Sequence, residues 1–309
     1  MRALVDRVLG QVHPVVVGQD ETVERLFIAL ACHGHVLLEG APGVAKTLLA
    51  RTVAATLGVQ MHRVQFTPDM LPSDLTGTMT LRGGELAFRR GPVFTNLLLA
   101  DEINRTPPKT QAALLEAMQE RQVTIDGQPH PLADPFLVVA TQNPIEYEGT
   151  YPLPEAQLDR FLLKIDVGYP SAQDERAMLD LRRDGVDPAS LGDVRVVVAP
   201  EELAAAVAQT RDTDVAGEVA DYLVALVRHT RELPSVALGA SPRAAVHLLA
   251  AAKAQAQLQG RSFVTPDDIA DLAEPVLAHR LLMTPEAELE RFGAGDAIRT
   301  ALAEVEVPR

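Results

Sequence analysis

The stretch Val36–Ala50, VLLEGAPGVAKTLLA, decides how the chain is read. An apolar run enters a turn with glycines at 40 and 43, then comes a lysine, a hydroxyl and an apolar helical pattern. A buried strand, a tight turn and a helix are predicted in that order. Gly40, Lys46 and Thr47 occupy three fixed positions of G-x-x-x-x-G-K-[ST], the turn whose backbone N–H groups cradle phosphates. Ala45 stands where the last glycine belongs, a departure that matters if φ there is positive. The expected site is therefore the turn Gly40, Ala41, Pro42, Gly43, Val44 and Ala45, with Leu48 beginning the helix behind it. Lys46 would reach the β- and γ-phosphates and Thr47 would bind Mg²⁺, while the helix N-terminus adds free N–H groups and a favourable dipole.

Three further stretches extend the pattern. NLLLADEINR is an apolar strand that ends in Asp101 and Glu102. Two acids at a buried strand end are costly without a cation. Asp101 would hold Mg²⁺ through water, and Glu102 would polarise an attacking water. LVVATQNP ends another apolar strand at Asn143, whose neutral amide can hydrogen-bond both a γ-phosphate and that water. YPLPEAQLDRFLLKIDV sets Arg160 between a short helix and a strand, and GASPRAAVHLL sets Arg243 in the first turn of a helix. A cation in a first turn opposes the helix dipole unless an anion offsets it.

Around these motifs, residues 1–170 alternate short apolar strands with helices, the pattern of a parallel sheet covered on both faces. The five strands predicted are HVLLEG, HRVQF, NLLLADE, PFLVVATQN and RFLLKIDV. Two inserts read as hairpins, one about Gly83-Gly84 and one about Asp126-Gly127. SAQDERAMLDLRRDGVD reads as a helix and PASLGDVRVVVAP as a connector with one short extended piece; from residue 200 the chain reads as all-helical. Ser241, Pro242 and Gly260 mark the start and stop of one helix, and Thr265 with Asp268 has the spacing of a capping box.

The chain has 309 residues, 47% of them hydrophobic, with no Trp and a net charge of −14. An acidic chain is a poor binder of nucleic acid, whose phosphates need Lys and Arg. Cys32 is the only cysteine, so no internal disulfide forms, and its apolar setting predicts a buried structural thiol. The first residues, MRALVDRVLGQVHP, lack a signal-peptide core, and no apolar run approaches membrane-spanning length, so no membrane insertion and a cytoplasmic location are expected.

Taken together, these stretches resemble AAA+ ATPases, and within them the MoxR family. The likeness runs from VVVGQDETVERLFIALACHGHVLLEGAPGVAKTLLA through QFTPDMLPSDLTGT, GPVFTNLLLADEINRTPPKTQAALLEAMQERQVTIDG and FLVVATQNPIEYEGTYPLPEAQLDRF to GASPRA. The resemblance implies a P-loop αβα core with a five-stranded parallel sheet over residues 1–185 and a helical lid over 186–309. It implies ATP and Mg²⁺, with Lys46 and Thr47 as Walker A, Asp101 and Glu102 as Walker B, and Asn143 as sensor 1. Arg160 looks like an arginine finger acting on a neighbouring subunit's ATP, and Arg243 like sensor 2 from the same chain's lid. The segment around Val17, Gly18 and Gln19 looks like a wall of the adenine pocket. The hairpins look like the helix-2 insert and the pre-sensor-1 hairpin, which face a central pore in this branch. The implied assembly is a homo-oligomer, usually a hexameric ring, and the implied partner carries a von Willebrand factor A-like domain. The implied role is chaperone-like remodelling; a nucleotide-gated binding module and a magnesium-chelatase-type subunit are the alternatives.

Other patterns point elsewhere and are weaker. Asp74–Gly77 matches D-x-x-G, but no N-K-x-D guanine reader accompanies it. His33 and His35 have no third metal ligand nearby, and read as solvated or core histidines. No G-x-S-x-G elbow, GAFTGA-like loop or DNA-binding tail is evident, which argues against a hydrolase of that kind or a transcription factor.

Overall fold

The computed structural model describes residues 1–143, 150–183 and 191–308. The expected division at 185/186 and the end of the helix expected over SAQDERAMLDLRRDGVD lie outside those residues. Two helices, α1 (Arg2–Val12) and α2 (Asp20–Ala31), precede the opening strand. The five predicted strands are β1 (Val36–Glu39), β2 (Met61–Gln65), β5 (Leu97–Asp101), β8 (Leu137–Gln142) and β9 (Leu163–Asp166). They form one sheet in the order β2-β5-β8-β1-β9, and every pair is parallel.

Both faces of this sheet are dry, which explains why the strands lack polar alternation. Leu97, Leu99, Leu137 and Val139 belong to one apolar cluster, while Leu98, Ala100, Val138 and Ala140 belong to the other. Successive side chains point to opposite faces, so a continuous apolar run feeds two cores at once. Truncating Leu99, fully buried, would remove several methyl contacts at a typical cost of ~2–5 kcal/mol.

Between strands run α3 (Lys46–Leu57), α4 (Pro72–Thr76), α5 (Pro108–Glu120), α6 (Glu155–Leu158) and α7 (Ala172–Arg183). Gly58 ends α3 in the left-handed region at φ 62°, as its sequence position predicted. The inserts are antiparallel hairpins, β3 (Gly77–Arg82) with β4 (Glu85–Arg90), and β6 (Gln122–Ile125) with β7 (Gln128–Pro131). In the second turn Asp126 and Gly127 both have positive φ, 48° and 78°, as a type I′ turn requires. The Phe88 ring stacks on His130 at 4.4 Å between centroids, so the two hairpins lean together.

The lid contains α8 (Pro200–Arg211), α9 (Gly217–His229), α10 (Pro242–Leu258), α11 (Pro266–Leu277), α12 (Pro285–Leu289) and α13 (Ala294–Glu304). Ser241 caps α10 by accepting from the Ala244 N–H at 3.2 Å, and Asp268 accepts from the Thr265 N–H at 2.8 Å. The lid is not wholly helical. β10 (Val236–Leu238) pairs with β11 (Leu282–Met283), strands too short to show a period in sequence. In the connector, Val197 and Val198 donate to the Thr56 carbonyl at the end of α3 without joining a strand.

His35 and Cys32 are structural groups. His35 accepts from the Val138 N–H at Nδ1, 3.0 Å, so its Nε2–H donates to the Met118 carbonyl at 3.1 Å. Both ring nitrogens are used, and burial lowers its pKa to about 4. The Cys32 thiol donates to the Ala250 carbonyl at 3.2 Å, and burial pushes its pKa up to about 12. Among the described residues no helix is long and apolar enough to cross a membrane.

Candidate functional site

The carboxyl ends of β1, β5 and β8 lie side by side, and the Gly40–Ala45 turn, Asp101, Glu102 and Asn143 all follow them directly. In open parallel sheets this edge is where ligands bind. Gly40 passes so close to Val167 that a Cβ would strike its carbonyl oxygen. Gly43 has φ 88° and faces open space. Ala45 has φ 62° and ψ 19°, left-handed, so the departure from glycine does matter: a Cβ there costs about 1–2 kcal/mol. Lys46 Nζ donates to the turn's own Gly40 and Ala41 carbonyls at 2.5 and 3.1 Å. Burial lowers its pKa, with Asp101, Glu102 and Glu39 opposing that shift.

Asp101 is buried and crowded with donors. Thr141 Oγ1 donates to one oxygen at 2.6 Å. The other oxygen accepts from Arg63 Nη2 at 2.7 Å and Nε at 3.0 Å, and from Thr47 Oγ1 at 3.3 Å. Glu102 is the second left-handed non-glycine residue here, at φ 58° and ψ 52°. Such backbone costs of order 1–3 kcal/mol and gathers at functional sites. Its N–H donates to Thr141 Oγ1 at 2.9 Å, and its carboxylate accepts from Gln65 at 2.6 Å and pairs with Arg105 at 2.9 Å. Asn143 is buried just beyond β8.

Beside the turn opens an apolar cavity of about 230 Å³. Val17, Gln19, Gly43, Val44, Ala45 and Leu48 line it. Gly18 does not line it; at φ 74° it passes under Asp174, where a Cβ would come within 2.7 Å of the carboxylate. Thr47 and Asp101 supply hard oxygen donors on one side of the turn, the ligand type that Mg²⁺ selects.

Comparison with known proteins agrees with this fold. The family described as "ATPase family associated with various cellular activities (AAA)" matches residues 35–163, and an AAA lid domain matches 228–300. Chaperone MoxR1 of Mycobacterium tuberculosis is 45% identical, covering 99% of this chain and 82% of that protein. Protein MoxR of Paracoccus denitrificans is 35% identical, covering 95% and 93%. A crystal structure from Cytophaga hutchinsonii, described as a candidate ATPase, superposes with a TM-score of 0.92 at 42% identity, covering 100% of this chain and 96% of that one. The chain belongs to the MoxR family of AAA+ ATPases.

Two of the residues matched to the MoxR pattern stand apart from the Gly40–Ala45 turn. Arg160 donates to the Leu115 carbonyl at 2.9 Å and lines a groove of about 540 Å³ with Glu116 and Glu120. It forms no ion pair among the described residues. Arg243 is exposed in the first turn of α10, where no acidic residue sits. The acid at that helix start comes from another segment: Asp159 accepts from the cap, Ser241 Oγ, at 3.4 Å.

The sequence patterns did not single out Arg63, Gln65 or Thr141, which hold the two acids. Thr141 is a hydroxyl inside an otherwise apolar buried strand, a signal that could have found it. Val15, Val16, Pro170 and α7 residues Met178, Leu179 and Leu181 complete the cavity wall. Three apolar residues in the highly charged α7 were the available hint.

Proposed function

We propose that this MoxR-family protein hydrolyses ATP with Mg²⁺ and uses the cycle as a chaperone-like remodeller that helps a partner complex assemble or mature. One observation carries the reading: a lysine, a hydroxyl and two acids meet at one sheet edge, beside an apolar cavity suited to a flat base. The turn amides and Lys46 hold the phosphates; Lys46 exchanges the turn carbonyls for phosphate oxygens. Thr47, and Asp101 through water, would hold Mg²⁺, which when bound would offset charge on the phosphates. Glu102, oriented by Thr141 and held by Gln65 and Arg105, accepts the proton of the attacking water, and Asn143 positions that water.

Arg160 serves a neighbouring copy. An arginine supplied from outside can be worth about 10³–10⁵ in rate, so hydrolysis would require assembly, in a hexameric ring. Arg243 reaches the nucleotide of its own chain from the lid. The name of the mycobacterial relative supports the chaperone role. The partner is a protein with a von Willebrand factor A-like domain, and the setting is the cytoplasm.

Glu102→Gln should lower turnover about 10²–10⁴-fold while nucleotide binding persists. Arg160→Ala should also stop turnover, and mixing it with Lys46→Ala chains should restore part of it. Full turnover by Glu102→Gln removes the assigned base, and no rescue in confirmed mixed assemblies removes the trans role of Arg160.

A further inference from the structure

Asp159 precedes Arg160 and touches the lid at two points. Its Oδ1 lies 2.9 Å from Arg280 Nε and accepts from Ser241 Oγ at 3.4 Å. Ser241 is the cap of α10, two residues before Arg243. The Arg280 side chain is only 2% exposed. It donates to the Phe161 carbonyl at 2.6 Å, the Val276 carbonyl at 2.7 Å and His247 Nδ1 at 2.6 Å. His247 lies one turn beyond Arg243 on α10.

An ion pair this deep is a poor source of stability, since desolvating both charges offsets their attraction. Its value is geometric. A planar guanidinium hydrogen-bonded through both Nη atoms fixes the relative positions of whatever it bridges. Its Nε faces Asp159 as an ion pair without an aligned hydrogen bond. Here it bridges the segment carrying Arg160 and the helix carrying Arg243, and neither arginine has an ion-pair partner of its own among the described residues.

We propose that Asp159 and Arg280 are positioning residues that lock the neighbour-directed Arg160 and the self-directed Arg243 into one rigid unit. Nucleotide in one site is then felt at the next through this pair. The proposal rests on the ATPase reading and deepens it. His247 takes part as a neutral acceptor: the Arg280 N–H needs the lone pair on Nδ1, and burial first, then the charges of Arg280 and Arg243, lowers the His247 pKa to about 3.

The test uses the full chain, a fluorescent ATP analogue for affinity and phosphate release for turnover. Asp159→Asn/Arg280→Met removes both charges, so no lone buried ion remains. Arg280→Lys keeps the charge opposite Asp159 but loses the fork, and serves if the double variant fails to fold. Either variant should weaken nucleotide binding about tenfold and lower turnover at saturating ATP at least tenfold, a loss in both KM and kcat. Arg243→Ala should weaken binding about tenfold in the wild-type background and hardly at all in the latch variant. A merely structural pair would instead give additive losses. Wild-type affinity in the folded variant, an additive Arg243→Ala effect, or no effect of Arg243→Ala in the wild-type background overturns the proposal. If the wild-type protein binds nucleotide without hydrolysing it, the ATPase reading fails and the binding arm still decides the latch.

Discussion

The two ends of the central sheet each bury a titratable side chain, and they treat it differently. At the amino end His35 is satisfied by two backbone groups, the Val138 N–H and the Met118 carbonyl. At the carboxyl end Asp101 is satisfied by side chains from three elements, Arg63, Thr47 and Thr141. Backbone partners cannot move without unmaking the fold, whereas side-chain partners can be exchanged for a ligand. The carboxyl end also holds the left-handed Ala45 and Glu102. One end is built to stay as it is, and the other is built to trade contacts.

The largest effect should come from breaking the static end. His35→Phe leaves the Val138 N–H and Met118 carbonyl unpaired, at about 1–3 kcal/mol for each group. Denaturant titration should show that loss, while nucleotide affinity of the folded fraction stays unchanged; a matching loss of affinity would mean the ends are coupled. Acid should act on the same end next. A histidine held neutral in the fold binds fewer protons than in the unfolded chain. Its contribution is complete above about pH 6.5 and falls as pH drops toward about 4 for His35. At pH 5 that loss is about 2 kcal/mol. His247 and His279, also lowered mainly by burial, add losses of the same sign. Melting curves from pH 7 to 5 should fall, and the fall should be shallower in His35→Phe. The smallest effect belongs to the exchangeable end. Arg63 is half exposed and occupies the Asp101 oxygen that also contacts Thr47. Arg63→Met should lower the Mg²⁺ concentration needed for tight nucleotide binding roughly tenfold, the worth of one charged hydrogen bond. No change in a magnesium titration would show that Arg63 does not compete there.

Much of this was legible in sequence, for physical reasons. Five buried strands write both of their faces as apolar residues, and the two hairpins announce themselves through Gly83-Gly84 and Asp126-Gly127. The Gly40–Ala45 turn is local, so its residues are contiguous. The supports of the two acids are not: Arg63 and Thr141 come from strands on either side of β5 and meet Asp101 only after the sheet forms. The contribution of α7 to the cavity was hidden likewise, because a helix of mostly charged residues does not reveal what its few apolar ones will cover. The β10–β11 ribbon was too short to leave a pattern.

One apolar cluster runs from Leu4 in α1 through Leu99 in the sheet to Ala301 in α13. The cap is thus rooted in the same oil as the sheet it covers. Swinging it open like a door would expose part of that interior to water, at a cost that grows with the apolar area uncovered. A slide of packed surfaces would keep that interior dry, so movement of the cap by that route would be small in travel and felt across the whole subunit.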